Sequence, residues 1–192
     1  MTLVFATNNA HKLEEARLIL GARIQIKSLQ DIGCHADIPE TSDTLEGNSL
    51  QKAKYVWEHY GIDCFADDTG LEVEALHGAP GVLSARYASE AHDSAANRKK
   101  LLESMCGKSN RNAQFRTVIT LIKGGEAEQV EGIVKGNIAS KETGSGGFGY
   151  DSLFIPQGYD RSFGEMTAEE KAAISHRKRA LEELCKLLQS TK

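Results

Sequence analysis

No stretch of this chain is apolar for long enough to cross a membrane. No two cysteines have metal-binding spacing, and no basic excess marks a surface for nucleic acid. Each absence removes a class of function. The first residues, MTLVFATNNAHK, hold a hydrophobic run far below the roughly 18 residues of a membrane span and too short for a signal peptide. The expected placement is therefore cytoplasmic, with no membrane partner. Cys34, Cys64, Cys106 and Cys185 lie far apart without a C-x-x-C pair. That spacing argues against structural zinc and for idle thiols in a reducing compartment. Lys and Arg total 23 against 27 Asp and Glu, a net charge of -4. Nonspecific binding to nucleic acid rests on a basic surface, so it is not expected here. An anionic ligand would have to be met by a local basic cluster. Internal repeats, linkers and low-complexity tracts are also missing.

What remains is an ordinary globular composition of 192 residues, 40% hydrophobic and 26% charged, sufficient for a substantial core. Leu3 to Ala6 reads as a short buried strand. Thr7, Asn8 and Asn9 follow as turn and N-cap residues before a helix with Leu13, Ala16 and Leu20 on one face and Gly21 as its stop. Ile24 to Ser28 alternates as a second strand. The spacing predicts a helix over Ser49 to Tyr60, burying Leu50, Ala53, Trp57 and Tyr60. Cys64 to Ala66 reads as the end of a buried strand, with Asp67-Asp68-Thr69-Gly70 as the turn leaving it. Leu71 to Ala75 alternates as a half-exposed strand, and Asp93 to Cys106 reads as a capped helix. Phe115 to Lys123 is the strongest strand signal, turned at Gly124-Gly125 into a hairpin reaching Val134. Thr167 and Glu170 form a capping-box pattern, with Ser175 as a second N-cap. The expectation is one α/β domain, residues 1–192, with a mixed sheet.

Four constellations carry chemistry. Thr7 to Lys12 directly follows the first strand. There, backbone N–H groups, the helix dipole, asparagine donors and Lys12 can cradle phosphate without glycines. Ordinary N-capping would leave the same pattern. Glu40, Asp67 and Asp68 supply oxygen ligands suited to Mg2+, which usually arrives with substrate phosphates. Gly144 to Gly149 formally satisfies G-x-G-x-x-G, but residues 150 to 155 read onward as strand rather than helix, so a dinucleotide loop is rejected. The glycines instead allow close approach of backbone to a ligand, with Phe148 or Tyr150 free to stack on a flat group. Lys171, His176 and Arg177 add donors at a helix start, suited to phosphate or to a carbonyl.

The segments FATNNAHKLEEA, ETSDTLEGNSLQKAKY, FADDTGLEVEALHGAPGVLSARYA, GFGYDSLF and EMTAEEKAAISHRKRAL together resemble the inosine triphosphate pyrophosphatase family nearly end to end. The resemblance implies an elongated α/β domain with a central mixed β-sheet, two lobes flanking an active-site cleft, and a homodimer. It also implies Mg2+-dependent hydrolysis of ITP, dITP and XTP to the nucleoside monophosphate and pyrophosphate. By position, Thr7, Asn8, Asn9, Ala10, His11 and Lys12 would hold phosphates. Glu40 and Asp68 would bind metal, Asp68 would activate water, Asp67 would support them, and Thr69 would touch substrate. Phe148, Gly149, Tyr150 and Asp151 would form the base pocket, completed by Lys171, His176 and Arg177. Two positions depart from the family: Thr69 stands where serine is frequent, and Ser152 where proline is common. The alternative is a noncatalytic nucleotide-binding protein, against which the intact acids argue.

Overall fold

Strands and capped helices alternate along the first part of the chain, and hairpin pairing takes over in the middle. The computed structural model describes residues 1–21 and 24–190. The strands are Thr2–Phe5 (β1), Gln25–Lys27 (β2), Cys64–Val73 (β3), Pro80–Gly81 (β4), Asn112–Lys123 (β5), Glu126–Ile138 (β6) and Phe154–Pro156 (β7). The helices are Ala10–Leu20 (α1), Leu45–Tyr60 (α2), Ser94–Ser104 (α3), Ala168–Ile174 (α4) and His176–Ser190 (α5). The strands form one sheet in the order β2-β1-β3-β5-β6-β7, with β4 also on β3. β1 runs parallel to β2 and to β3, whereas β4 and β7 pair antiparallel with their neighbours. The sheet is mixed, and the fold is α/β.

The chain forms two compact units whose segments interleave. The first comprises Met1–Asp68, Thr117–Gly132 and Arg177–Lys192, and the second Thr69–Arg116 and Ile133–His176. The first unit has two apolar clusters. In one, Leu3, Phe5 and Phe65 pack with Ala16 and Leu20 of α1 and with Leu181 and Leu184 of α5. In the other, Val4 and Ala66 pack with Ala53 and Val56 of α2. β1 is covered on both faces, which is why it reads as a continuous apolar run. The second unit is built around Leu71, Leu101, Phe115, Phe154 and Phe163.

Local chemistry sets the element ends. Asn9 caps α1 by accepting the Lys12 N–H at 3.2 Å. Thr167 and Glu170 accept each other's backbone N–H at the start of α4, completing the capping box. Ser175 is extended, so α4 and α5 are separate helices as the pattern predicted. Gly124 and Gly125 have φ of 58° and 89°, a conformation that β-branched or bulky residues would strain, and they turn β5 into β6.

Three expectations need correction. The Asp67-Asp68-Thr69-Gly70 segment is no turn, because β3 runs unbroken from Cys64 to Val73. Two acids and a glycine resemble a turn locally, but tertiary partners satisfy the carboxylates within the strand. The buried face of α2 begins one turn earlier than predicted, at Leu45, behind the Thr44 cap. It includes Asn48, Ser49, Lys52, Ala53 and Val56, while Leu50, Trp57 and Tyr60 are only half-buried. After the glycine-rich loop, Asp151–Leu153 forms a 3-10 turn before β7 rather than continuing as strand. No α-helix opens there, so the dinucleotide reading still fails.

Candidate functional site

The first unit gathers charge around the middle of β3. Alternation along a strand sends Asp67 and Asp68 to opposite faces, and both are buried, 1% and 7% exposed. Lys12, one turn into α1, donates from Nζ to Asp67 Oδ1 at 3.0 Å. Arg177, at the start of α5, donates from Nε to Asp67 Oδ2 at 3.2 Å and from a terminal nitrogen to Glu15 of α1. Asp67 is thus gripped through both oxygens by cations from two helices.

Asp68 is held from α2. Asn48 Nδ2 donates to Asp68 Oδ2 at 3.1 Å, and Asn48 Oδ1 accepts the Ser42 N–H at 2.8 Å. The second bond fixes the amide orientation required by the first. Gln51, three residues on, accepts the Thr41 N–H at 2.9 Å. Lys52, one further, pairs with Glu40. The polar face Asn48-Gln51-Lys52 therefore pins the 40–42 segment to α2 and sets Glu40 beside its lysine.

These neighbours separate the two aspartates electrostatically. Burial favours the neutral form of Asp67, but Lys12 and Arg177 outweigh it and hold the carboxyl well below the usual range. Burial pushes Asp68 upward. Lys52 and Lys12 oppose that push, Glu40 adds to it, and the result lies above the ordinary value. Burial also acts against the Lys52 ammonium, yet Glu40, Asp67 and Asp68 more than restore it and raise its pKa. Lys12 is lowered, by burial and by its cationic neighbours Lys52 and Arg177.

The predicted phosphate segment is otherwise open. Asn8, Asn9, Ala10 and His11 are exposed, and Thr7 is half-buried. Thr7 Oγ1 accepts the Asn9 N–H, and Asn8 donates to the Ala36 carbonyl at 3.3 Å. Thr69 is the next, half-buried residue of β3.

The second unit brings together Phe148, Asp151 and Lys171. Asp151 Oδ2 accepts the Phe148 N–H and the Lys171 ammonium, each at 2.8 Å. The same ammonium lies 4.4 Å from the Phe148 ring centroid. Gly147 has φ of 71°, and a Cβ there would meet Asp151 Oδ2 at 2.1 Å. The loop therefore reaches this carboxylate only with glycine at that position. Phe148 and Gly149 are half-buried. Tyr150 is not free to stack, because its ring belongs to the core and its hydroxyl donates to the Ser84 carbonyl at 2.7 Å. His176 is buried with its ring stacked 4.6 Å from Phe115. The predicted donor trio is thereby parted: Lys171 faces Asp151, His176 faces Phe115, and Arg177 is engaged with Asp67 and Glu15.

The residues fit a hard divalent cation. Burial raises Asp68 most and Glu40 adds to it, and a cation near both carboxylates would oppose each contribution. Among the described residues no group of three or more His, Cys, Asp or Glu could hold a metal. Such an ion would need other ligands, and Mg2+ commonly takes one or two carboxylates plus substrate phosphates. Sequence reasoning missed Lys52, Asn48 and Glu15. The signal for the first two was polar residues at i and i+4 on a helix otherwise read by its apolar positions.

The Ham1 family model matches residues 3–187. A dITP/XTP pyrophosphatase of Flavobacterium psychrophilum is 54% identical over 180 residues, covering 94% of this chain and 95% of that protein. Its counterpart in Porphyromonas gingivalis is 56% identical over 183 residues, covering 95% and 94%. The Ham1 protein structures of Staphylococcus aureus and Coxiella burnetii each superpose with a TM-score of 0.90 at 34% identity, covering all of both chains.

Proposed function

The chain belongs to the Ham1 family, and from that membership we propose that it hydrolyses dITP, ITP and XTP to the nucleoside monophosphate and pyrophosphate. Its relatives' names point to the substrate class. The observation carrying the chemistry is the pair of adjacent, buried aspartates held in opposite electrostatic states. Asp67, kept ionised between Lys12 and Arg177, anchors the cations. Asp68, raised by burial and Glu40, is tuned toward accepting a proton.

Lys12 and Lys52 would meet phosphate oxygens, supplying full charges where the net charge of the whole protein supplies none. Asp68 would take the proton of the attacking water as the water oxygen bonds to the α-phosphorus and the bond to the pyrophosphate oxygen breaks. Mg2+, held by Glu40 and Asp68, would neutralise charge on the phosphates. Phe148 would stack on the purine, with Asp151 and Lys171 beside it to meet the base edge. A homodimer, from the family resemblance, and a cytoplasmic location, from the idle thiols and the short apolar runs, belong to the same proposal.

The test is pyrophosphate release from dITP, XTP, dGTP and ATP with and without Mg2+. The proposal expects release from the first two, dependent on the ion. Binding of dITP without release would instead make the chain a nucleotide-binding protein.

A further inference from the structure

Within the second unit, the glycine-rich loop is tied to its own flanks by Gly146 N–H to the Gly164 carbonyl and by the Phe148–Asp151 turn. A distant helix reaches the loop as well. Arg98 of α3 donates from a terminal nitrogen to the Gly149 carbonyl at 3.0 Å and from Nε to Glu142 Oε2 at 2.9 Å. The same Glu142 oxygen accepts the Ser152 hydroxyl at 3.1 Å.

We propose that Arg98 is a positioning residue for the base platform, the Ser152–Glu142–Arg98–Gly149 clip holding the carbonyl that follows Phe148. Gly149 follows Phe148 directly and has φ of 61°, so nothing in its own backbone preference holds the loop. The fork of Arg98 spans Glu142 and the carbonyl together, which a lysine's single ammonium would do less well. The helix end of the clip is itself fixed. Asn97, 3% exposed, accepts the Ala88 N–H at 2.7 Å and donates to the Ala85 carbonyl at 2.9 Å. Arg98 therefore works from a seated helix and reaches a mobile-chemistry residue, glycine, beside the ring that would carry the base.

This inference rests on the reading of Phe148 as a base platform, and its experiment separates the two. Binding of inosine monophosphate and of pyrophosphate is measured by calorimetry for the wild type, Arg98→Ala, Arg98→Lys, Glu142→Ala and Phe148→Ala, alongside kcat and KM for dITP. Arg98→Ala is expected to weaken the monophosphate roughly fivefold or more, the low end of what one stacked base contributes. Pyrophosphate binding should change much less, and KM should rise by more than kcat falls. Arg98→Lys should recover part of the loss, and Glu142→Ala should reproduce its direction. Equal weakening of both ligands, or no weakening in a folded Arg98→Ala or Glu142→Ala protein, overturns the positioning role. Loss of monophosphate binding in Arg98→Ala but not in Phe148→Ala would overturn the platform reading instead.

Discussion

Asp67 in the first unit and Asp151 in the second are both buried and both face a lysine, at 3.0 Å and 2.8 Å. Their surroundings differ. Around Asp67 stand Lys12, Arg177 and Glu15, with Lys52 felt through its field. Asp151 accepts the Lys171 ammonium and the Phe148 backbone N–H, and that ammonium also lies over the Phe148 ring. The first arrangement is a dense alternation of charge, suited to exchanging one anion for another. The second sets an ion pair beside an aromatic face, suited to a flat, uncharged group. The same pair type thus serves different chemistry according to what encloses it.

The largest effect should come from Asp68, which the charged unit tunes toward proton transfer. Asp68→Asn is expected to lower kcat for dITP by about 10²–10⁴-fold, the usual worth of a positioned general base. Its melting temperature should stay close to wild type. Turnover within about threefold of wild type, well under that range, would pass the role elsewhere.

Stability should break the comparison in the opposite sense. Lys171→Met removes the ammonium that Asp151 faces, and stranding a buried charge typically costs about 3–5 kcal/mol. Lys12→Ala leaves Asp67 with Arg177, so urea unfolding should show a smaller loss. Equal losses would mean that Asp67 does not share its charge between two cations.

For ligands the order reverses. Lys12→Ala should weaken pyrophosphate by roughly 10–100-fold, as expected for a charged hydrogen bond worth about 1.5–3 kcal/mol. It should barely affect inosine, which calorimetry on both ligands would check.

The smallest effect is pH dependence, and here the adjacent aspartates oppose each other. Asp67 is held below its ordinary 3.8, so the unfolded chain takes up that proton first as pH falls. Its contribution is complete above the unfolded value and is lost as pH drops through the folded one. Asp68 is raised above 3.8, so its contribution is present at low pH and lost as pH rises through its folded value. Urea midpoints followed from about pH 5 down to about pH 2, the range in which a depressed carboxyl loses its contribution, should show Asp67→Asn flattening the acid-side loss. Asp68→Asn should not flatten it. An unchanged slope in Asp67→Asn would remove the depressed carboxyl from the account.

Elements governed by local chemistry were legible. The Asn9 cap, the Thr167–Glu170 box, the Gly124-Gly125 turn and the break at Ser175 all depend on neighbours within a few residues. What depended on distant partners was not. Asp67 and Asp68 read as a turn because Lys12, Arg177 and Asn48, which make them tolerable in a strand, lie 55, 110 and 20 positions away. Lys52 escaped notice because its burial depends on Glu40, on the preceding loop. The serine-histidine-arginine run looked like one donor cluster, yet consecutive residues at a helix start point different ways, and its members face Phe115 and Asp67 respectively.

The central claim is that the charged unit directs water to the α-phosphorus of a non-standard purine triphosphate. The measurement that tests it most directly is phosphorus NMR of the wild-type chain acting on dITP with Mg2+. The account predicts deoxyinosine monophosphate and pyrophosphate in equal amounts. Orthophosphate with the diphosphate, or unreacted dITP, would contradict it.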